Sequence, residues 1–192
     1  MEKIKTVIFG GSFDPIHIGH LSLANEVVNS RLADEVWFMV SPQNPHKEQS
    51  RLSDENVRLQ MVKLALEGND AFKACDFEFD LPRPSYTINT LSALEESFPD
   101  REFILLVGAD NWEKFDRWHK HDEILSCYKI IVYPRGNSDI PELPFGVTWL
   151  SAELHDVSST QIRGLVSNGK TISGLVPAAV EDFINRNNLY KR

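Results

Sequence analysis

The stretch Thr6-Val7-Ile8-Phe9-Gly10-Gly11-Ser12-Phe13-Asp14-Pro15-Ile16-His17-Ile18-Gly19-His20 decides how this chain reads. Its first four residues form an apolar run of the kind buried in a parallel strand. Leu21, Leu23, Ala24, Val27 and Val28 then recur at helical spacing. Between the two patterns, Gly10 and Gly11 let the backbone turn tightly and pass close to a ligand. His20 therefore falls in the first turn of a helix, where backbone N–H groups lack partners and carry partial positive charge. An anion such as a phosphate is stabilised at such an end. His17 and His20 add planar donors on short stems, which can be fixed against single oxygens where a lysine would deliver a mobile charge. A histidine pair at this spacing can also cap, pack or hold a metal. A metal would need a third ligand at readable spacing, and none stands nearby in the sequence.

The rest of the chain alternates strand-like and helix-like runs. Strands are expected at Lys5 to Phe9, Glu35 to Val40, Phe72 to Phe79, Glu102 to Val107, Lys129 to Tyr133 and Val147 to Leu150. Helices are expected at Ile18 to Asn29, Asp54 to Glu67 behind a Ser53 cap, Thr87 to Ser97, an interrupted Trp112 to Leu125, and Ser158 to Ser167. A last helix starts with Pro177 at its first position and runs to about Arg186. This order predicts an α/β fold, a Rossmann-like doubly wound parallel sheet, with ligands at the C-terminal ends of the strands. No repeat or long linker interrupts it, so residues 1–192 are expected to form one domain with a helical C-terminal part from about residue 158. Leu81-Pro82-Arg83-Pro84 and Gly136 to Pro144 read as irregular loops.

Composition narrows the function. The chain of 192 residues is 42% hydrophobic and 25% charged, ordinary for a globular enzyme, and its formal charge of −8 argues against wrapping nucleic acid. A small anionic substrate needs only a local positive pocket. Cys75 and Cys127 are far apart and read as reduced, buried thiols of a cytoplasmic protein. No apolar run approaches the roughly 20 residues that span a bilayer, and the N-terminus does not read as a signal peptide. Oligomeric state is not legible.

Strand ends then become candidate sites. They carry Ser41-Pro42-Gln43-Asn44-Pro45-His46-Lys47, Ser85-Tyr86-Thr87, Gly108-Ala109-Asp110 and Tyr133-Pro134-Arg135-Gly136. Lys47 and Arg135 taken alone are ordinary surface residues. Trp118 can stack on a ligand or pack with Phe115 and Trp112. His119 and His121, two apart on an expected helix, face apart and are expected in solvent. Far downstream, Ser158 or Ser159 suits a helix N-cap, with Thr160 and the first amides facing a phosphate and Arg163 reaching the same end.

The opening stretch, with His17-Ile18-Gly19-His20 inside it, resembles the signature of the HIGH-motif nucleotidyltransferase superfamily, whose fold is shared with class I aminoacyl-tRNA synthetases. Val157-Ser158-Ser159-Thr160-Gln161-Ile162-Arg163 resembles the Ile-Ser-Ser-Thr-x-Ile-Arg motif of nicotinate or nicotinamide mononucleotide adenylyltransferases. Pro45-His46-Lys47, Ser85-Tyr86-Thr87 with Thr90-Leu91, Gly108-x-Asp110 with a downstream Trp, and Leu175-Val176-Pro177 to Asn188-Leu189-Tyr190 follow in the order of the bacterial nicotinate mononucleotide adenylyltransferase family, over nearly the whole chain. Phosphopantetheine adenylyltransferases, usually with Thr in place of His17, and FMN adenylyltransferases, usually with Gly in place of Pro15, fit less well. Asn89, Val157 and Arg135-Gly136-Asn137 depart from the family's commoner residues. The last of these bears on how that loop meets the substrate phosphate.

The resemblance implies AMP transfer from ATP to nicotinate mononucleotide, giving nicotinate adenine dinucleotide and pyrophosphate. It implies catalytic roles for His17, His20 and Lys47. ATP is expected on Gly10, Gly11, Ser12, Phe13, His17, His20, Gly108, Asp110, Ser158, Ser159, Thr160 and Arg163. The mononucleotide is expected on Lys47, Tyr86, Thr87, Trp118 and Arg135. Mg²⁺ is expected with ATP, bound through phosphates and water. Nicotinamide mononucleotide, another phosphorylated acceptor, or nucleotide sensing without turnover remain alternatives.

Overall fold

A computed structural model describes residues 2–42, 52–134, 142–152 and 155–191. Lys47 and Arg135 lie outside the described residues, as does most of the expected Gly136 to Pro144 loop. Six parallel strands form one sheet: β1 (Ile4–Gly11), β2 (Glu35–Val40), β3 (Phe72–Cys75), β4 (Arg101–Gly108), β5 (Lys129–Tyr133) and β6 (Val147–Trp149). Their order across the sheet is β3-β2-β1-β4-β5-β6. The chain runs outward from β1 to one edge and then returns to β1's other side. The crevice above β1 and β4 is therefore the topological switch point, where a doubly wound sheet binds ligands.

Period-two alternation distributes each strand's side chains between two cores. Val7, Phe9, Phe38, Ile104, Leu106 and Ile131 face the helices α1 (Ile18–Asn29), α2 (Glu55–Leu66), α6 (Ser159–Ser167) and α7 (Ala178–Arg186). Ile8, Trp37, Met39, Leu105, Val107 and Ile130 face α3 (Thr87–Ser97), α4 (Ala109–Trp112) and α5 (His121–Cys127). Helices on both faces leave the strands dry on both sides, which explains their nearly continuous apolar runs. Among the described residues no helix is long and apolar enough to cross a membrane.

Several sequence expectations need correction. Phe72 to Phe79 is not one strand: β3 ends at Cys75 and a 3₁₀ turn covers Phe77–Asp80. β3 pairs with Val36 to Met39, the last pair being Met39 with Cys75, one residue short of the end of β2 at Val40. Ser53 is not the cap of α2. Asp54 takes that role, its carboxylate accepting from the Asn56 N–H at 2.9 Å, while the Ser53 amide donates to Asp14 Oδ2 at 3.1 Å. Trp112 to Leu125 resolves into α4, a 3₁₀ turn at Phe115–Arg117 and α5, divided at Lys120 with φ 54. Pro177 precedes α7 in extended conformation instead of opening it. Of the two cysteines, Cys75 is buried but Cys127 is exposed.

The turn after β1 is held by a buried arginine. Arg58 on α2 is 1% exposed. It donates through Nη1 to the carbonyls of Ser12 at 2.8 Å and Ser41 at 2.9 Å, and through Nε to that of Ser53 at 2.9 Å. Burial pulls its pKa below the ordinary value, and the negative charge of Asp14 opposes that pull. One planar side chain thus ties three loop segments to one helix, which a lysine's single ammonium cannot reproduce. Arg58→Met is expected to lower stability by roughly 3 kcal/mol, because three carbonyls lose a charged donor. Arg58→Lys is expected to recover less than half of that loss, read from urea unfolding midpoints.

Candidate active site

A cavity of about 1220 Å³ opens at the switch point, larger than the few hundred to roughly 1,000 Å³ common for one small ligand. One wall is the turn after β1. A Cβ on Gly11 would stand 2.9 Å from the Phe13 ring, so this residue must be glycine for Phe13 to fold under it. At Gly10 an added Cβ would meet nothing within 4 Å, and its backbone borders open cavity. Phe13, with φ 46 and 2% exposure, packs edge-on against Phe9 at 5.6 Å and against the His20 ring at 5.0 Å.

His17 caps α1, and its backbone N–H donates to His20 Nδ1 at 3.2 Å. With Nδ1 accepting, a neutral His20 carries its proton on Nε2. The two imidazoles stack at 3.7 Å between centroids, and both line the cavity. Gly19 makes the stack possible, because a Cβ there would lie 3.1 Å from the His17 ring and 3.2 Å from Val157. The expected row of unpaired amides is only partly present. The Ile18 N–H donates to the Leu175 carbonyl at 3.0 Å, while Gly19 borders the cavity.

The facing wall is the start of α6. Ser158 is its N-cap, accepting from the Gln161 N–H at 3.2 Å. Ser159 and Arg163 also anchor the opposite turn: Ser159 Oγ donates to the Pro15 carbonyl at 2.9 Å and Arg163 Nη1 to the Asp14 carbonyl at 2.7 Å. Arg163 Nη2 reaches Thr160 Oγ1 at 3.2 Å. Ser12, Gly108, Asp110, Thr160, Tyr86, Thr87 and Trp118 border the same space.

Helix ends bring positive potential to this negatively charged chain. The cavity-lining starts of α1, α3 and α6 carry no acidic residue in the first turn, whereas α2, α5 and α7 begin with Glu55, Asp122 and Glu123, and Glu181. Asp110 on short α4 is the exception at the cavity. Among the described residues no group of three or more His, Cys, Asp or Glu could hold a metal ion.

Among the residues that the sequence did not assign to the site, His119 and Glu78 line the cavity. His119 lies in the turn before α5; it is exposed as expected, but its ring packs on Tyr86 at 4.4 Å, beside Trp118. Trp118 is half-buried, with Phe115 at 5.3 Å, so one side chain both packs and borders the cavity. Glu78 is buried and accepts from Thr90 Oγ1 at 2.9 Å. A lone Glu in an apolar run carried no signal beyond its presence there.

The cytidylyltransferase-like family profile matches residues 8–165. A Bacteroides fragilis protein named "probable nicotinate-nucleotide adenylyltransferase" is 50% identical over 182 residues, 94% of this chain and 90% of that protein. The chain belongs to the nicotinate-nucleotide adenylyltransferase family. A Bacteroides thetaiotaomicron member with the same name is 44% identical, covering 95% of this chain and 92% of its own length. The fold matches that of the Plasmodium falciparum nicotinic acid mononucleotide adenylyltransferase solved with NaAD, with TM-score 0.79 and 19% identity over 97% of each chain. The fold is thus shared at low sequence identity.

Burial raises the Glu78 carboxyl pKa above its ordinary 4.5, and the hydrogen bonds from Thr90 and Ser41 only partly oppose this. The protonated carboxyl's stabilising advantage is fully present below the unfolded-state pKa and is lost as pH rises through the folded-state value. Glu78→Gln is therefore expected to raise Tm at pH 7, by roughly 2–4 °C if about 1 kcal/mol is relieved, and to give no gain at pH 4. Thermal unfolding at the two pH values checks the sign.

Proposed function

We propose that this chain transfers AMP from ATP to nicotinate mononucleotide, releasing pyrophosphate and forming nicotinate adenine dinucleotide for NAD biosynthesis. The observation that carries the reading is the stacked His17–His20 pair facing the α6 start across one cavity, in a chain of this family. The attacking group is a phosphate oxygen of the mononucleotide, already anionic at neutral pH, so no general base is needed. Its lone pair forms a bond to the α-phosphorus of ATP, while the bond from that phosphorus to the bridging oxygen breaks and its electrons leave with pyrophosphate. The barrier lies in bringing anions together and in charge on the equatorial oxygens.

His20, its ring held by His17, Phe9 and Phe13, would present Nε2–H to those oxygens, with His17 beside it. Gly10, Gly11, Ser12 and Phe13 would border the nucleotide. Ser158, Ser159, Thr160 and Arg163 would receive the departing phosphates, with Ser159 and Arg163 also holding the opposite turn. Gly108 and Asp110 would lie by adenosine, and Tyr86, Thr87 and Trp118 around the pyridine nucleotide. Lys47 as a charge-sharing catalytic group and Arg135 as a mononucleotide contact are read from sequence.

Nucleotidyltransferases of this family typically use a divalent metal with ATP. Here we expect Mg²⁺, held by phosphate oxygens and water; bound there, it would neutralise phosphate charge. Residues 1–192 are read as a single nucleotidyltransferase domain, acting on small molecules in the cytoplasm.

Pyrophosphate release with ATP and Mg²⁺, run in parallel on nicotinate and nicotinamide mononucleotide, tests this reading. A higher kcat/KM for the acid is expected. Preference for the amide would reverse the acceptor, and ATP binding without turnover would favour a sensor. His20→Ala is expected to lower kcat by about a hundredfold or more with little change in KM for ATP. Trp118→Ala is expected to raise KM for the mononucleotide several-fold and leave that for ATP nearly unchanged.

A further inference from the structure

We infer that Tyr190, near the C-terminus and outside the cavity lining, is a positioning residue for the phosphate-facing turn and acts through the buried carboxylate of Asp14. The Tyr190 hydroxyl donates to Asp14 Oδ1 at 2.6 Å, across 176 positions of sequence. Asp14 is 0% exposed and lies in the turn between β1 and the His17–His20 pair. Its other oxygen accepts the Ser53 N–H, and its backbone carbonyl accepts from Arg163. Neither Tyr190 nor Asp14 is among the residues that line the cavity, so the pair is placed to act through the turn.

The tail is shaped for this contact. After α7, Asn188 and Tyr190 take positive φ values of 50° and 61°, and the Leu189 N–H bonds back to the Ile184 carbonyl at 3.0 Å. This curls the chain so that the phenol reaches inward, its hydroxyl 3.8 Å from Met61 Sδ. Burial and the negative charge of Asp14 push the phenol pKa upward, which keeps the hydroxyl a donor. A buried carboxylate oxygen without a donor is costly. Loss of this one would let Asp14 shift, and with it the turn that presents His17 and His20. Small misplacements of groups acting in a transition state reduce rate far more than ground-state binding.

The inference rests on the proposed role of His17 and His20, so its test carries a readout that needs no substrate. Tyr190→Phe keeps the ring and removes only the hydroxyl. At 25 °C, kcat is expected to fall about tenfold with KM for ATP and nicotinate mononucleotide within about twofold. Amide hydrogen exchange is expected to quicken in Ser12–His20 and to stay unchanged in β4. In the Asp14→Asn background, adding Tyr190→Phe is expected to cost no further activity, because the two act as one unit. Unchanged kcat in Tyr190→Phe, a uniform rise in exchange, or additive losses would each overturn the proposal. If the wild-type chain turns over neither mononucleotide, the functional reading fails, and exchange alone decides the positioning role. If Tyr190→Phe does not fold, Asp14→Asn is read by the same exchange and kcat, and no change there overturns it.

Discussion

The turn from Ser12 to Pro15 is fixed by what its carbonyls accept, and the site depends on that. Ser12 receives Arg58 from α2, Asp14 receives Arg163 from α6, and Pro15 receives Ser159 from the same helix. Buried backbone oxygens must find donors, and here the donors are two guanidinium groups and a hydroxyl from helices remote in sequence. Once these peptide orientations are set, Phe13 folds under Gly11, its ring meets His20, and His20 takes the His17 amide on Nδ1. The donor nitrogen facing the cavity is therefore selected by packing and by one backbone bond. Such preorganisation lets a hydrogen bond act in a transition state without reorganising first.

Charge is arranged on the same principle. A formal charge of −8 would repel nucleotides if it were spread evenly. Of the helices that open on the cavity, α1, α3 and α6 begin without acidic residues and only short α4 carries one, Asp110, whereas α2, α5 and α7 all carry them. Asp110 and Asp156 line the cavity and are exposed, whereas two other carboxylates at or near it are buried and hydrogen-bonded. Asp14 is bonded by Tyr190 and Ser53, and Glu78 is bonded by Thr90 with its pKa raised by burial. Local potential at the cavity thus follows helix dipoles and placed donors more than net charge.

Much of the architecture was legible because its causes are local. The apolar run before Gly10 and the helical spacing after His20 predicted β1 and α1, and Ser158 reads as a cap because its hydroxyl serves an amide three residues on. Errors fell where a neighbour decides. The run from Phe72 has strand character throughout, yet pairing with β2 ends at Cys75 and the chain turns into a 3₁₀ helix at Phe77. Ser53 is as good a cap as Asp54 by propensity, but α2 starts one residue later and Asp54 accepts from its Asn56 amide, while the Ser53 amide is bonded to Asp14. His119 was placed on a helix, and the left-handed residue Lys120 ends the preceding turn instead, leaving the ring free to pack on Tyr86.

The sequence by itself determined the alternation of elements, the crevice at which ligands should sit, and the histidine pair with the downstream Ser-Ser-Thr and Arg. Each follows from periodicity, turn chemistry or a short motif, which act over a few residues. Only the tertiary structure decided that Arg58 serves three loops, that Ser159 and Arg163 hold the turn they face, and that Tyr190 reaches Asp14. Those contacts join residues up to 176 positions apart. A buried polar group takes its partner from whichever element packing brings near, and no local pattern records that choice.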